Sequence, residues 1–129
     1  ALGLRTRVVA VVATGAPAYA RSLSAGDTIS CEVTTRIADG MACRVPDPRA
    51  LEIMREGIDR VVEVTDDEIE DAMRVIYDDV HNVAEGAGAA SLAALLSERD
   101  RLSGKSVGIV LSGGNVDRDV FARVISTNL

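Results

Sequence analysis

The first hydrophobic feature of the chain is an unbroken run of small apolar residues, "VVAVVA" at positions 8–13. A strand with one wet face alternates polar and apolar residues, whereas a strand covered on both faces does not. This run therefore predicts a strand of a parallel sheet clad by helices. Gly15 and Pro17 interrupt it, and "APAYARSLSAG" reads as a short helix with Pro17 near its first turn and Gly26 past its end. Residues 27–44 keep no period and predict a long connecting loop, a feature that in α/β domains often carries function.

Asp47 and Pro48 form an N-cap followed by a first-turn proline, after which Leu51, Met54 and Ile58 fall on one helical face. A second β-branched run covers residues 60–64. In "TDDEIEDAMRVIYDDV", Thr65 and Glu68 stand in capping-box relation, and Ile69, Ala72, Met73, Ile76, Tyr77 and Val80 make an apolar stripe. Another helix is predicted from Ala87 to about Leu102, stopped by Gly104. A last strand over residues 106–111 and a final helix bearing Val116, Val120, Phe121 and Val124 complete the pattern. The fold class is α/β: a parallel sheet with helices on both faces and no internal repeat.

Composition narrows the function classes. With 129 residues, 47% of them hydrophobic, the chain can bury one modest core, as one domain or part of one. Its 20 acidic and 14 basic residues give a net charge of -6, which argues against nucleic acid or an anionic membrane surface as partner. Cys31 and Cys43 are the only cysteines and lack a motif spacing, so a reducing cytoplasm is expected rather than a secreted disulfide framework. The apolar stretch around residues 87–96 is too short to span a bilayer. The chain opens on Ala1 without an initiator methionine, and reads as one entered midway.

Three stretches could carry chemistry. "SGGN" at residues 112–115 follows a predicted strand, where open α/β sheets hold ligands. Gly113 and Gly114 permit close approach of backbone and Ser112 offers a hydroxyl, although a plain strand-to-helix turn has the same composition. "EGAGAA" at residues 85–90 has the start of a dinucleotide fingerprint, but Ser91 replaces its third glycine; Glu85 is either a cap at a helix N-terminus or a site residue. Arg44, after "ADGMAC", is either a carboxylate binder or a surface arginine. His81 is the only histidine, which excludes a multi-histidine metal site and suits a helix end. The acidic run after Thr65 reads as a solvated helix face.

In their order and separation, "TTRIADGMACR", "VAEGAGAASLAALL" and "VGIVLSGGNVDRDVF" closely resemble the later half of the catalytic region of threonine dehydratases and the related serine dehydratases and serine racemases. These are pyridoxal-phosphate enzymes of fold type II, the tryptophan-synthase-β class, and the likeness runs over about residues 7–125. It implies pyridoxal 5'-phosphate as cofactor, with the Ser112 hydroxyl on the pyridine nitrogen, Gly113 and Gly114 beside the ring, Glu85 near it, and Gly40 in a loop closing over it. Cys43 stands where serine racemases carry a serine near the substrate, so the resemblance favours dehydration of threonine or serine over racemisation. Cation-activated relatives place acidic ligands just after the first strand, where Val12 and Ala18 stand here, so no such metal site is implied.

Two parts that the family needs lie upstream in relatives: the Schiff-base lysine and the glycine-rich phosphate loop. Lys105, the only lysine, precedes the last predicted strand while the ring contacts follow it, so it does not suit that role. The resemblance thus implies that residues 1–129 are the C-terminal portion of a cofactor-binding domain, inert alone, and acting as a homo-oligomer or with a missing N-terminal half. The alternative within the class is a serine racemase or another fold type II lyase, and the one from another class is a non-catalytic ligand-binding or interaction module.

Overall fold

The computed structural model describes Gly3 and residues 5–126; Ala1, where the chain opens, and the last three residues lie outside the described part. Two strands, β1 (Val9–Ala13) and β2 (Arg60–Val64), pair in parallel with Val9 opposite Arg60 and Ala13 opposite Val64. Between them run α1 (Ala18–Ala25), a 3-10 turn (Asp39–Met41) and α2 (Pro48–Gly57). After β2 come α3 (Asp66–Val80), α4 (Gly86–Ser97), α5 (Arg99–Leu102) and α6 (Arg118–Ile125).

Local chemistry explains most boundaries. Helix α1 ends at Gly26, whose φ of 77° is a left-handed conformation that costs glycine nothing. Asp47 caps α2 by accepting from the Arg49 and Ala50 amides, with Pro48 in the first turn as expected. Thr65 and Glu68 close a full capping box on α3, satisfying two amides that the helix itself leaves free. His81 ends α3 at φ 55°, its ring nitrogen Nδ1 3.0 Å from the Tyr77 carbonyl, which is the helix-end place expected of it.

The core lies where α4 packs on α3 and on both strands. Ile69, Ala72, Met73 and Ile76 of α3 meet Ala89, Ala90, Ala93 and Ala94 of α4, together with Ala13 and Val64 of the sheet. Small residues on α4 let its axis approach the sheet closely, while α3 supplies the volume. The α3 stripe does not stay buried throughout: Tyr77 and Val80 are exposed near its end.

Two expectations need correction. Residues 106–111 form no strand: among the described residues the sheet consists of β1 and β2, and this segment joins no ladder. Their β-branched residues carry propensity without a partner, and Val110 is 73% exposed. The predicted helix over residues 87–102 is also divided. It breaks at Glu98, whose carboxylate is drawn to Arg60 at the start of β2 through Nε (3.1 Å) and a second, shorter contact from Nη2. Arg101 adds a bond of 2.9 Å from α5. The Arg60 hydrogen bond, reinforced by its charge and opposed by desolvation, holds the Glu98 carboxyl below its ordinary value and raises the Arg60 guanidinium above its own.

Candidate functional site

Three chain segments converge at the N-terminus of α4. The first is the turn 112–115 that precedes α6. Gly113 accepts a bond of 3.1 Å from the Glu85 amide, and the Glu85 carboxylate Oε2 accepts one of 3.0 Å from the Asn115 amide. Glu85 occupies the N-cap position of α4 but makes no capping bond with its side chain. Its carboxylate is half-buried and holds the turn instead.

The glycines make this closeness possible. A Cβ on Gly113 would fall 2.5 Å from Glu85 Oε1, and one on Gly114 would fall 2.7 Å from the Val83 carbonyl. Within α4, side chains on Gly86 and Gly88 would lie under 3.0 Å from the Ile37 and Gly113 carbonyls respectively. The bare Cα atoms of the "SGGN" turn thus serve first to admit other protein groups.

The second segment is the loop before and through the 3-10 turn. Gly40 lies where a Cβ would meet the Ala87 side chain at 2.9 Å and Glu85 Oε1 at 3.4 Å. This loop is fixed by Asp66, at the start of α3, which accepts from Thr35 Oγ1 at 2.5 Å and from the Arg36 amide at 2.8 Å. The acidic run of α3 is therefore more than a solvated face. The third segment, residues 106–111, is tied back by Ser91 Oγ, which donates to the Val110 carbonyl at 2.9 Å.

Of the residues singled out from the sequence, Gly40, Glu85, Gly113 and Gly114 meet in this one place, with Ser112 on its rim. The Ser112 side chain is exposed and bonds to no described residue. Cys43 stands two residues beyond the 3-10 turn and directs its thiol to the Val45 carbonyl at 3.3 Å. Arg44 is exposed and forms no side-chain bond or ion pair with a described residue. Lys105 is exposed in the turn after α5, its amide bonded to the Leu102 carbonyl. Among the described residues no group of His, Cys, Asp or Glu is gathered so as to hold a metal ion. Sequence reasoning missed Asn115, Gly86, Gly88, Ser91 and Asp66, since their partners are distant in the chain: Glu85 for Asn115, Arg36 for Asp66, Val110 for Ser91, Ile37 for Gly86 and Gly113 for Gly88.

The donors set what the site can hold. One free neutral hydroxyl beside bare backbone fits a flat ring presenting a single acceptor nitrogen. The one carboxylate placed inside this cluster, that of Glu85, is negative and would repel a dianionic phosphate.

Residues 1–113 match the family of pyridoxal-phosphate dependent enzymes. The chain is 36% identical over 123 residues to an L-threonine ammonia-lyase of Thermotoga maritima, covering 95% of this chain and 30% of that protein. It is 39% identical over 116 residues to a serine racemase of Arabidopsis thaliana, covering 86% of this chain and 35% of that one. The processed form of threonine deaminase isoform 2 from Solanum lycopersicum superposes with a TM-score of 0.86 at 27% identity, over 97% of this chain and 35% of that chain. The chain thus spans about a third of the length of these proteins. With the match to residues 1–113, the parallel strand pair and the three motifs converging on one helix N-terminus, the chain belongs to the pyridoxal-phosphate dependent enzymes, as an α/β region of the fold type II threonine and serine dehydratase group.

Proposed function

We propose that this chain is the ring-contacting portion of a threonine or serine dehydratase, which converts a hydroxyamino acid to a 2-oxo acid and ammonium. The observation that carries the reading is the convergence of Gly40, Glu85 and the 113–115 turn at the start of α4, next to an exposed Ser112 whose hydroxyl bonds to no described residue. Bound pyridoxal phosphate supplies an electron sink for the substrate α-carbon. Ser112 would donate to the pyridine nitrogen, and a neutral hydroxyl, unlike a carboxylate, would leave that nitrogen uncharged. Glu85 holds the turn that aims Ser112. Gly40 brings its loop against Glu85 without a side chain to obstruct the ring. Cys43, just after the loop that carries Gly40, would stand beside the substrate.

The names of the relatives support elimination and racemisation alike, since a serine racemase is among them. Cys43, at the position where the racemases' serine is expected, favours elimination. Incubating the full-length protein with L-serine and following chirality together with 2-oxo acid separates the two readings; racemisation running well ahead of 2-oxo acid release contradicts dehydration.

For the site, the test is Ser112→Ala in the full-length protein. Turnover and retained cofactor should fall while the unfolding transition stays in place, because an exposed hydroxyl contributes little to packing. Unchanged kinetics would remove Ser112 from the role. Residues 1–129 on their own should release no 2-oxo acid, and borohydride reduction in the presence of pyridoxal phosphate should leave Lys105 without specific label. Labelled Lys105 accompanied by turnover contradicts this.

A further inference from the structure

Helix α3 buries one charged side chain that the site does not use. Arg74 is buried, its side chain only 9% exposed, on the flank of α3 that faces α6 rather than on the apolar face made of Ile69, Ala72, Met73 and Ile76. Its Nη1 donates to the Val124 carbonyl of α6 at 3.0 Å and its Nη2 bonds to Asp71, while Nε is buried without an acceptor among the described residues. A guanidinium in such a place is costly, and packing alone would be served as well by a methionine of similar reach. The bond to Val124 is what the arginine adds. It fastens the last turn of α6, at the end where the helix dipole favours a cation.

Helix α6 has two more attachments to α3. Arg123 meets the Glu70 carboxylate with both terminal nitrogens, at 3.2 and 2.9 Å, and Phe121 sets its ring edge-on to Tyr77 with centroids 5.5 Å apart. Glu70, Arg74 and Tyr77 lie along one stripe of α3, at spacings of four and three residues. The turn 112–115 enters α6 through Val116 and the N-cap Asp117. It is thus held from two sides: by Glu85 at its own backbone, and through α6 by the stripe on α3.

We propose that Arg74 is a positioning residue for the cofactor ring: by fixing α6 on α3 it determines where the 112–115 turn presents the Ser112 hydroxyl. The inference rests on the reading of Ser112 as the ring-nitrogen partner. Its distinguishing consequence is that loss of the guanidinium loosens one turn and one helix rather than the whole core.

The test uses the full-length protein as wild type, Arg74→Met, Arg74→Lys and Asp71→Asn, with hydrogen exchange of the apo form and affinity for pyridoxal phosphate as readouts. In Arg74→Met, amides of residues 112–126 should exchange roughly tenfold faster while those of α4 and the strands keep their protection, and cofactor affinity should fall by roughly fivefold to tenfold at a little-changed thermal midpoint. Lysine can reach the Val124 carbonyl with one donor, so Arg74→Lys should restore part of both. Asp71→Asn leaves the core volume intact and should shift both readouts less, in the same direction; it carries the test if Arg74→Met does not fold. Faster exchange spread evenly over the protein, or unchanged exchange at residues 112–117, overturns the proposal. If Ser112→Ala leaves cofactor affinity unaltered while the Arg74 variants still loosen the turn locally, the cofactor reading fails and the mechanical coupling stands.

Discussion

Replacing Gly88 with alanine sets two effects of opposite sign against each other. Gly88 is buried in the first turn of α4, and alanine there should gain about 1 kcal/mol of helix propensity over glycine. The added Cβ, however, would lie under 3.0 Å from the Gly113 carbonyl, a backbone atom that cannot swing aside as a side chain would. Restoring an ordinary contact requires the 112–115 turn to retreat by on the order of 1 Å. Such overpacking costs roughly 1–3 kcal/mol. The retreat also strains the bond between the Glu85 amide and the Gly113 carbonyl, now 3.1 Å, whose loss costs about 0.5–1.5 kcal/mol. The net expectation is a loss of about 0.5–3.5 kcal/mol, with the Ser112 hydroxyl displaced along with the turn. The control is Gly57→Ala at the end of α2, where a Cβ meets nothing within 4 Å and φ is not left-handed; it should stabilise by about 0.5 kcal/mol. Denaturant titration of the full-length variants reads both as midpoint shifts at constant slope. A Gly88→Ala protein at least as stable as the wild type, with undiminished cofactor affinity, would refute the closeness of turn and helix on which the site depends.

Other outcomes follow from the same contacts. Asp66→Ala removes the acceptor of Thr35 Oγ1 and the Arg36 amide, and should cost about 1–2 kcal/mol with faster amide exchange concentrated in residues 34–40; stability within experimental error of wild type contradicts that. For Glu98 the sign follows from a folded carboxyl held below its ordinary 4.5 by Arg60: its stabilisation is complete above that value and is lost as pH falls through the depressed one. The stability difference between wild type and Glu98→Gln, on the order of 1 kcal/mol near neutrality, should therefore shrink as pH drops from about 6 to below about 4, and a pH-independent difference would exclude the carboxylate as its source.

Where an element depends on residues a few positions apart, the sequence displayed it. Asp47 and Pro48 announced α2, Thr65 and Glu68 announced α3, and Gly26 marked the end of α1, because caps act within one turn of chain. Elements that depend on distant partners were not legible. The run at 106–111 has the composition of a strand, but strandhood needs a neighbouring backbone. The break falls at Glu98, whose partner Arg60 lies 38 residues earlier. At the site the split is the same: "EGAGAA" and "SGGN" were visible as small-residue stretches, and Glu85 stood open between cap and site residue. That its carboxylate spans 30 residues to the Asn115 amide, and that the glycines make room for protein groups, follows only from the folded chain.

The central claim is that the Ser112 hydroxyl, held in place by Glu85 and the 113–115 turn, partners the ring nitrogen of the cofactor without charging it. Nuclear magnetic resonance of pyridoxal phosphate isotopically labelled at the pyridine nitrogen, bound to the full-length protein, reads that atom directly. The account predicts the chemical shift of a neutral, hydrogen-bonded pyridine that moves towards the unbonded value in Ser112→Ala. A pyridinium shift in the wild type, or one unaltered by the substitution, would contradict it.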